Sequence, residues 1–272
     1  MAISELSALA SQPLTDWWQP HQLNESVCWH LAIGPLSLYL ERTASEWLVA
    51  HQRHPDDESL HCVSFQPLDE RPLDMTFQRY VFRQAPLVFR LQPCLMDRPV
   101  VVKTRQPVFI PPGESICFFI STPLCVRLLL GNDLDTQEWP IVRLSDTWFG
   151  PSTRVGELCY AAKTHARHAL SEIPLRPHRA VTQITLHNHD KKMLSIDKVS
   201  LPVQLLSLFQ RDDHTLWTEA VTLEHHAEQP LAKFRIERTV VNDAGASKRI
   251  ATPRQTLEKH ALIRAFTGIF GD

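Results

Sequence analysis

Hydrophobic and polar residues alternate with a period of two along much of the chain, a pattern typical of β-strands with one buried face. The run 27–33 alternates in this way, Gly34-Pro35 marks a turn, and the run 36–41 alternates again. Further strand-like runs lie at 47–51, 61–65, 76–83, 86–92, 99–104, 107–110, 115–121, 124–130, 139–144, 155–161, 178–187, 193–200, 203–210, 215–223 and 230–238. Turn signals recur about every 8–12 residues, which is the spacing expected of sandwiches and barrels. The predicted fold is therefore mainly β, with antiparallel β-sandwich-like halves.

The polar stretch 131–138 (GNDLDTQE) has no periodicity and interrupts the strand-like pattern near the middle of the chain. Because domain boundaries fall in such segments, we place one there. The prediction is an N-terminal β domain over 1–134 and a C-terminal β domain over 135–272. Apolar residues three apart within 3–10 predict a short leading helix in the first domain.

The last segment has a different pattern, which predicts a C-terminal amphipathic helix. Thr252 is suited to cap a helix, Pro253 is suited to its first position, and the helix would run to about Ile269. Its apolar face would dock either on the sheet of its own domain or on another chain. The second alternative predicts a protein partner or a homo-oligomer, assembled through this helix.

Composition and charge exclude several classes of protein. The chain has 272 residues, 43% hydrophobic and 21% charged, which is incompatible with a disordered or low-complexity protein. The net charge of −2 supplies no electrostatic attraction for nucleic acid. The most apolar stretch, 115–130, contains Pro123 and Arg127 and is too short to span a membrane. The first residues show no secretory signal, so a cytoplasmic protein is expected.

The common catalytic signatures are missing from the sequence. It contains no dinucleotide-binding glycine motif, no P-loop, no H-E-x-x-H and no G-x-S-x-G, and only 8 glycines in all. None of the six cysteines forms a C-x-x-C pair, so we expect buried, reduced thiols rather than a zinc ribbon or a redox site. We therefore assign no catalytic residue, and the sequence requires no cofactor.

A histidine pair at a predicted strand end is the clearest chemical feature. His187-x-His189 would place both imidazoles on one face of a strand, where they could bind one metal ion. Asp190 follows directly and offers a carboxylate. The positions where a further carboxylate would complete a cupin-type pattern hold Lys192 and Met193. The predicted metal ligands are therefore His187, His189 and Asp190, and a divalent metal is the alternative to a protein without a cofactor.

Two further histidine fragments, His165-x-x-His168 and the pair His225-His226, lack a carboxylate that the sequence alone can place beside them. Ordinary turn and surface histidines are the alternative explanation for all of these residues.

The order of several short motifs resembles a family of uncharacterised prokaryotic proteins, the domain of unknown function four-three-two. The resemblance covers most of residues 27–237 and implies no activity, cofactor or site residue. The motifs that carry it are FISTPL at 119–124, WFG at 148–150, GELC at 156–159, a strand ending near Asn188, and VSLPV at 199–203.

Three functions fit these observations. The leading interpretation is a non-enzymatic β-sandwich protein that acts as a ligand- or protein-binding module, because strands and seven tryptophans are abundant and catalytic signatures are missing. The first alternative is a metal-dependent enzyme on a β scaffold with histidine ligands. The second alternative is a structural subunit of a larger assembly.

Overall fold

A computed structural model describes residues 16–54, 63–226, 231–237, 247–256, 262–263 and 265–267. The predicted leading helix over 3–10 lies outside the described residues. The strands, in chain order, are β1 His21–Gln22, β2 Cys28–Ile33, β3 Leu36–Arg42, β4 Glu46–Arg53, β5 Val63–Leu68, β6 Gln78–Val81, β7 Val88–Cys94, β8 Val100–Ile110, β9 Ser115–Pro123, β10 Cys125–Leu130, β11 Leu134–Pro140, β12 Ser145–Ser152, β13 Val155–Ala166, β14 Arg179–Asn188, β15 Leu194–Leu201, β16 Leu208–Arg211, β17 Leu216–Thr218, β18 Val221–His225, β19 Ala232–Ile236, β20 Ser247–Ala251, β21 Leu262–Ile263 and β22 Phe266–Thr267. In the described residues, helical structure is confined to the single 3-10 turns Leu170–Glu172 and Val203–Leu205. The mainly β prediction is confirmed.

The chain forms two compact units, and each is built from two chain segments. The first unit comprises Met1–Pro93 and Cys125–Val142, and the second comprises Cys94–Leu124 and Arg143–Asp272. The boundary placed between residues 134 and 135 stays a prediction about independently folding domains.

The first unit contains two sheets that share one apolar core. One sheet has the strand order β5-β2-β3-β4-β6, and the other has the order β1-β7-β10-β11. The alternating leucines of β3 are fully buried, as their period predicts. Phe89 of the second sheet contacts Trp47 and Phe65 of the first, with ring centroids 5.6 and 6.0 Å apart. The two sheets therefore face each other across aromatic side chains.

The second unit contains a five-stranded sheet and an eight-stranded sheet. The first has the order β12-β13-β8-β15-β22. The second has the order β20-β16-β17-β14-β18-β19-β21, and β9 pairs with β14 beside this path. β14 is antiparallel to β9 but parallel to β17 and β18, and β13 is parallel to β8. The sheets are thus mixed, whereas antiparallel sheets were predicted, because a period of two gives the buried face of a strand but not its neighbours.

The predicted C-terminal helix is wrong. Leu262–Ile263 pairs with β19 and Phe266–Thr267 pairs with β15, so both short segments are strands inside the predicted helical span. Pro253 does not start a helix either, since the amides of Arg254 and Gln255 both donate to the carbonyl of Gln204. A few apolar residues in a short segment fit the period of a helix as well as that of a strand. Here the edges of two sheets supply hydrogen-bond partners for the backbone, so the segments form strands. A partner protein or a second copy stays a prediction, but no described residue within the predicted span is helical.

No helix among the described residues has the length and apolar character needed to cross a bilayer.

The described cysteine thiols are free of disulfides, and two of them have strongly raised pKa values. Burial, followed by the negative charge of Glu41, raises the pKa of Cys28 to about 11. Burial, followed by the charge of Glu157, raises the pKa of Cys159 to about 11. Both thiols are therefore protonated at neutral pH and shielded from reagents.

We expect Cys28 and Cys159 of the native protein to react with iodoacetamide at least about 100-fold more slowly than in the unfolded chain. The thiolate is the reacting species, and each unit of pKa above the ordinary value lowers its concentration about tenfold. Peptide mass spectrometry of timed alkylation at about pH 8 measures both rates, with urea-unfolded protein as the control. Equal rates in the two states would contradict the burial of these thiols.

Candidate metal centre

The predicted histidine pair lies at the carboxyl end of β14. The ring centroids of His187 and His189 are 5.9 Å apart, and their planes differ by 20°. The two rings share a face because alternate residues of a strand point the same way. The shared face was predicted from the local geometry of a strand. The strand ends at Asn188, close to the end that its sequence pattern predicted.

A second strand brings two more donor groups to the same edge. β18 runs parallel to β14, with His187 opposite Glu224 and Asn188 opposite His225. The ring of His226 stacks on that of His189, with centroids 4.9 Å apart and planes 15° apart. Parallel strands that end together place their last side chains at one edge of the sheet.

The resulting cluster, which we call the strand-end cluster, consists of His189, Glu224 and His226. Their nitrogen and carboxylate donor atoms all lie within 4.8 Å of one another. Among the described residues, no other group of three or more His, Cys, Asp and Glu donors comes this close together. His189 is exposed and the other two are half-buried, so a solvated ion can reach all three.

Glu224 is held as a carboxylate at this edge. Burial by itself raises the pKa of Glu224, but hydrogen bonding and charge from Lys233, with smaller contributions from His226 and His189, bring it below its ordinary value. Lys233 Nζ lies 3.2 Å from Glu224 Oε2, and His226 Nε2 lies 3.7 Å from the same oxygen. An ionised carboxylate beside two imidazoles is an arrangement that a divalent cation stabilises.

Asp190, the third predicted ligand, lies next to His225 instead. Its Oδ2 is 3.9 Å from His225 Nε2, and its Oδ1 accepts a hydrogen bond from the amide of Lys192. The pKa of His225 lies below its ordinary value. Burial lowers it most, the charge of Asp190 partly offsets that effect, and the charge of His226 lowers it further. Of the three predicted ligands, the structure brings only His189 into the strand-end cluster and places His187 beside it.

Asn188 supports the strand-end cluster through the hydrogen bonds of its side chain. Its side chain is fully buried, although its neighbours in the chain are the half-buried His187 and the exposed His189. Its Nδ2 donates to the carbonyls of Ile110, Pro111 and Lys192 at 2.9, 3.2 and 2.9 Å, and its Oδ1 accepts from the amide of Asp190. These bonds hold the chain on both sides of His189, because they link the end of β8 to the turn after β14.

Sequence reasoning missed Glu224 and His226 as members of the site. Glu224-x-His226 has the same alternate spacing as His187-x-His189, and this repeated pattern was the available signal. What could not be read from the sequence is that β14 and β18 are neighbours, since about 30 residues and three other strands lie between them in the chain.

Comparisons with known proteins give a family but no function. Residues 17–270 match the family described as Protein of unknown function (DUF432). The resemblance drawn from the sequence motifs is therefore confirmed. No curated protein and no solved structure matches the chain.

Proposed function

We propose a metal-binding function for this chain, which belongs to the DUF432 family. It is a non-enzymatic ligand-binding module on a sandwich-like β scaffold, and its ligand is a divalent transition-metal ion, best Zn²⁺. The observation that carries the proposal is the convergence of His189, Glu224 and His226 within 4.8 Å at the ends of two parallel strands.

The donor set supports zinc over other common divalent cations. Two imidazole nitrogens and one carboxylate suit Zn²⁺, whereas Mg²⁺ and Ca²⁺ prefer oxygen ligands alone. Tetrahedral coordination at about 2.0–2.2 Å requires donors about 3.2–3.6 Å apart. Rotation of the two stacked rings and a small movement of Glu224 away from Lys233 would bring the donors to that spacing. The strands themselves need not move.

His187 is our proposed fourth ligand, which would close the coordination sphere. It lies opposite Glu224 in the strand register, and its ring already stands 5.9 Å from that of His189. Zinc sites with four protein ligands are structural or binding sites, whereas catalytic sites keep one position for water. A closed site therefore supports the non-enzymatic function.

A metal-dependent hydrolytic enzyme is the second candidate function. It is favoured by the three-donor His₂Glu set if His187 stays outside the coordination sphere, because the fourth position is then open to water. Substitution with Co²⁺ distinguishes the two candidates. An absorption spectrum that is unchanged by added azide and weakened in His187→Ala supports the closed site. Azide-dependent spectra that are the same in wild type and His187→Ala support the open one.

We expect untagged protein, stripped of metal and then titrated calorimetrically, to bind one Zn²⁺ per chain. His189→Ala and His226→Ala should each weaken binding by about 100-fold or more, because loss of a direct ligand exceeds the 10- to 100-fold typical of supporting residues. Native mass spectrometry gives the stoichiometry.

His165→Ala is the matched control for this titration, since His165 is an exposed histidine on β13 of the five-stranded sheet. It should bind Zn²⁺ as wild type does. Equal affinity in wild type, His189→Ala and His226→Ala, or no stoichiometric binding at all, would overturn the proposed function.

A cytoplasmic location belongs to the same proposal. It is supported by the described cysteines, all of which are free thiols, as is usual in a reducing compartment.

A further inference from the structure

A cavity lies towards the other edge of the eight-stranded sheet, where β16, the turn that follows it and β20 meet. Its volume is about 320 Å³. We call it the Arg211 cavity, and it is lined by Gln210, Arg211, Asp212, His214, Ser247 and Lys248. It is separate from the strand-end cluster, with which it shares no residue.

Arg211 is a buried cation in the wall of this cavity. The residue is 5% exposed, and its guanidinium carbon lies 4.3 Å from the ring centroid of Trp217, itself 1% exposed. Its guanidinium forms no hydrogen bond or close ion pair with a described residue, although its positive charge helps to lower the pKa of Asp213. The neighbouring Asp213 uses its carboxylate for the amide and hydroxyl of Thr215 instead.

The edge of this guanidinium lines the cavity, and its N–H groups are open there to an acceptor. Stacking on Trp217 stabilises one flat face, but it does not accept hydrogen bonds from the edge. An oxyanion placed against the edge would form charge-assisted hydrogen bonds with these N–H groups, in a position partly shielded from water. Arginine is the side chain best suited to such an anion, because its parallel N–H groups match two oxygens at once.

The rest of the lining adds positive charge. Lys248 is exposed on β20 opposite Gln210 in the strand register, and it has no ion-pair partner in the part of the chain that the structure describes. Two cations thus lie near two carboxylates, those of Asp212 and Asp213, and the carboxylate of Asp213 accepts hydrogen bonds from Thr215. Gln210 and His214, joined through Nε2 and Nδ1 at 3.2 Å, add polar groups to the same wall.

We propose that the Arg211 cavity binds the phosphate group of a small phosphorylated molecule. Arg211 would bind two phosphate oxygens and Lys248 a third. A dianionic phosphate matches two cations better than a carboxylate does. The volume of about 320 Å³ lies at the lower end of the range of small-molecule sites and exceeds what a free phosphate ion fills.

Phosphorus NMR titration of the full-length protein tests this site, with inorganic phosphate, glycerol phosphate and acetate as the probes. We expect saturable binding of glycerol phosphate, tighter than that of inorganic phosphate, and competition by acetate only at concentrations at least about tenfold higher. Lys248→Glu should weaken phosphate binding at least about tenfold. Arg211→Lys, which keeps the charge but not the paired N–H groups, should do the same.

Lys103→Glu is the matched control, because Lys103 is exposed on β8 and the substitution changes the net charge equally. It should leave binding within about twofold of wild type. Lys248 is at the surface, so its variant keeps the test valid if Arg211→Lys fails to fold. Unsaturable phosphate binding, or equal binding in wild type and Lys248→Glu, would overturn the proposal. Competition by acetate at equal concentration would overturn the phosphate assignment in favour of a carboxylate ligand.

Discussion

Asn188→Ala should lower the free energy of unfolding by about 3–5 kcal/mol. The side-chain amide of Asn188 donates to three carbonyls, of Ile110, Pro111 and Lys192, in a fully buried position. Alanine can donate to none of them. The two N–H groups of the amide are shared among these carbonyls, and each hydrogen bond lost at a largely buried position costs about 1–3 kcal/mol. Urea denaturation followed by circular dichroism measures the change.

The same substitution should also weaken metal binding at the strand-end cluster. The Oδ1 of Asn188 holds the amide of Asp190, so its loss frees the turn that carries His189. We expect Zn²⁺ affinity to fall about tenfold even though no ligand is changed.

Asn132→Ala is the control for Asn188, since Asn132 is exposed in the turn between β10 and β11. Its free energy of unfolding should stay within about 0.5 kcal/mol of wild type. A loss below about 1 kcal/mol for Asn188→Ala would show that water replaces the amide and that the network does not stabilise the fold as described.

Trp47→Ala should destabilise the first unit by about 3–5 kcal/mol. Trp47 is fully buried on β4, its ring lies against Phe89 of the facing sheet, and its Nε1 donates to the carbonyl of Pro86 at 3.0 Å. Removal of a buried indole leaves a cavity that the two sheets cannot close without moving. Circular dichroism during urea denaturation is again the measurement, because it does not depend on the fluorescence of the lost tryptophan.

Trp148→Ala provides a comparison with the same change of side chain. Trp148 is 48% exposed on β12, although its Nε1 also donates to a carbonyl, that of Ser152. Its loss should cost about 1 kcal/mol, because little apolar surface leaves the core. Similar losses in the two variants would mean that the core between the sheets of the first unit contributes less than its burial indicates.

The strands were predictable because their pattern is local. In β3 the apolar residues alternate, and Leu36, Leu38 and Leu40 are all fully buried. The pairing of β2, β3 and β4 also follows the chain order, as short turns demand. The same reasoning failed for the C-terminal segment, where a few apolar residues suit a helix face and a strand equally well. There, the edges of β15 and β19 decided the outcome.

The candidate metal centre likewise contains one feature that was predictable from the sequence and one that was not. His187 and His189 were identified from their alternate spacing on one strand, and they do share one face. Asp190 follows His189 in the chain, but the turn directs it to His225. Its partner could not be predicted, because the direction of a turn residue depends on the hydrogen bonds around it, here those of Asn188.

The sequence alone determined the strand content, the lack of common catalytic motifs, the family resemblance and the histidine pair of β14. These properties depend on residue type and on spacings of a few positions, which the alternating geometry of a strand converts directly into a shared face. Only the tertiary structure decided that β18 lies parallel to β14 and brings Glu224 and His226 to His189. It also decided that β16 and β20 are paired and bring Arg211 and Lys248 to one cavity. Contacts between distant parts of the chain depend on which sheet edges find partners, and that is a property of the whole fold.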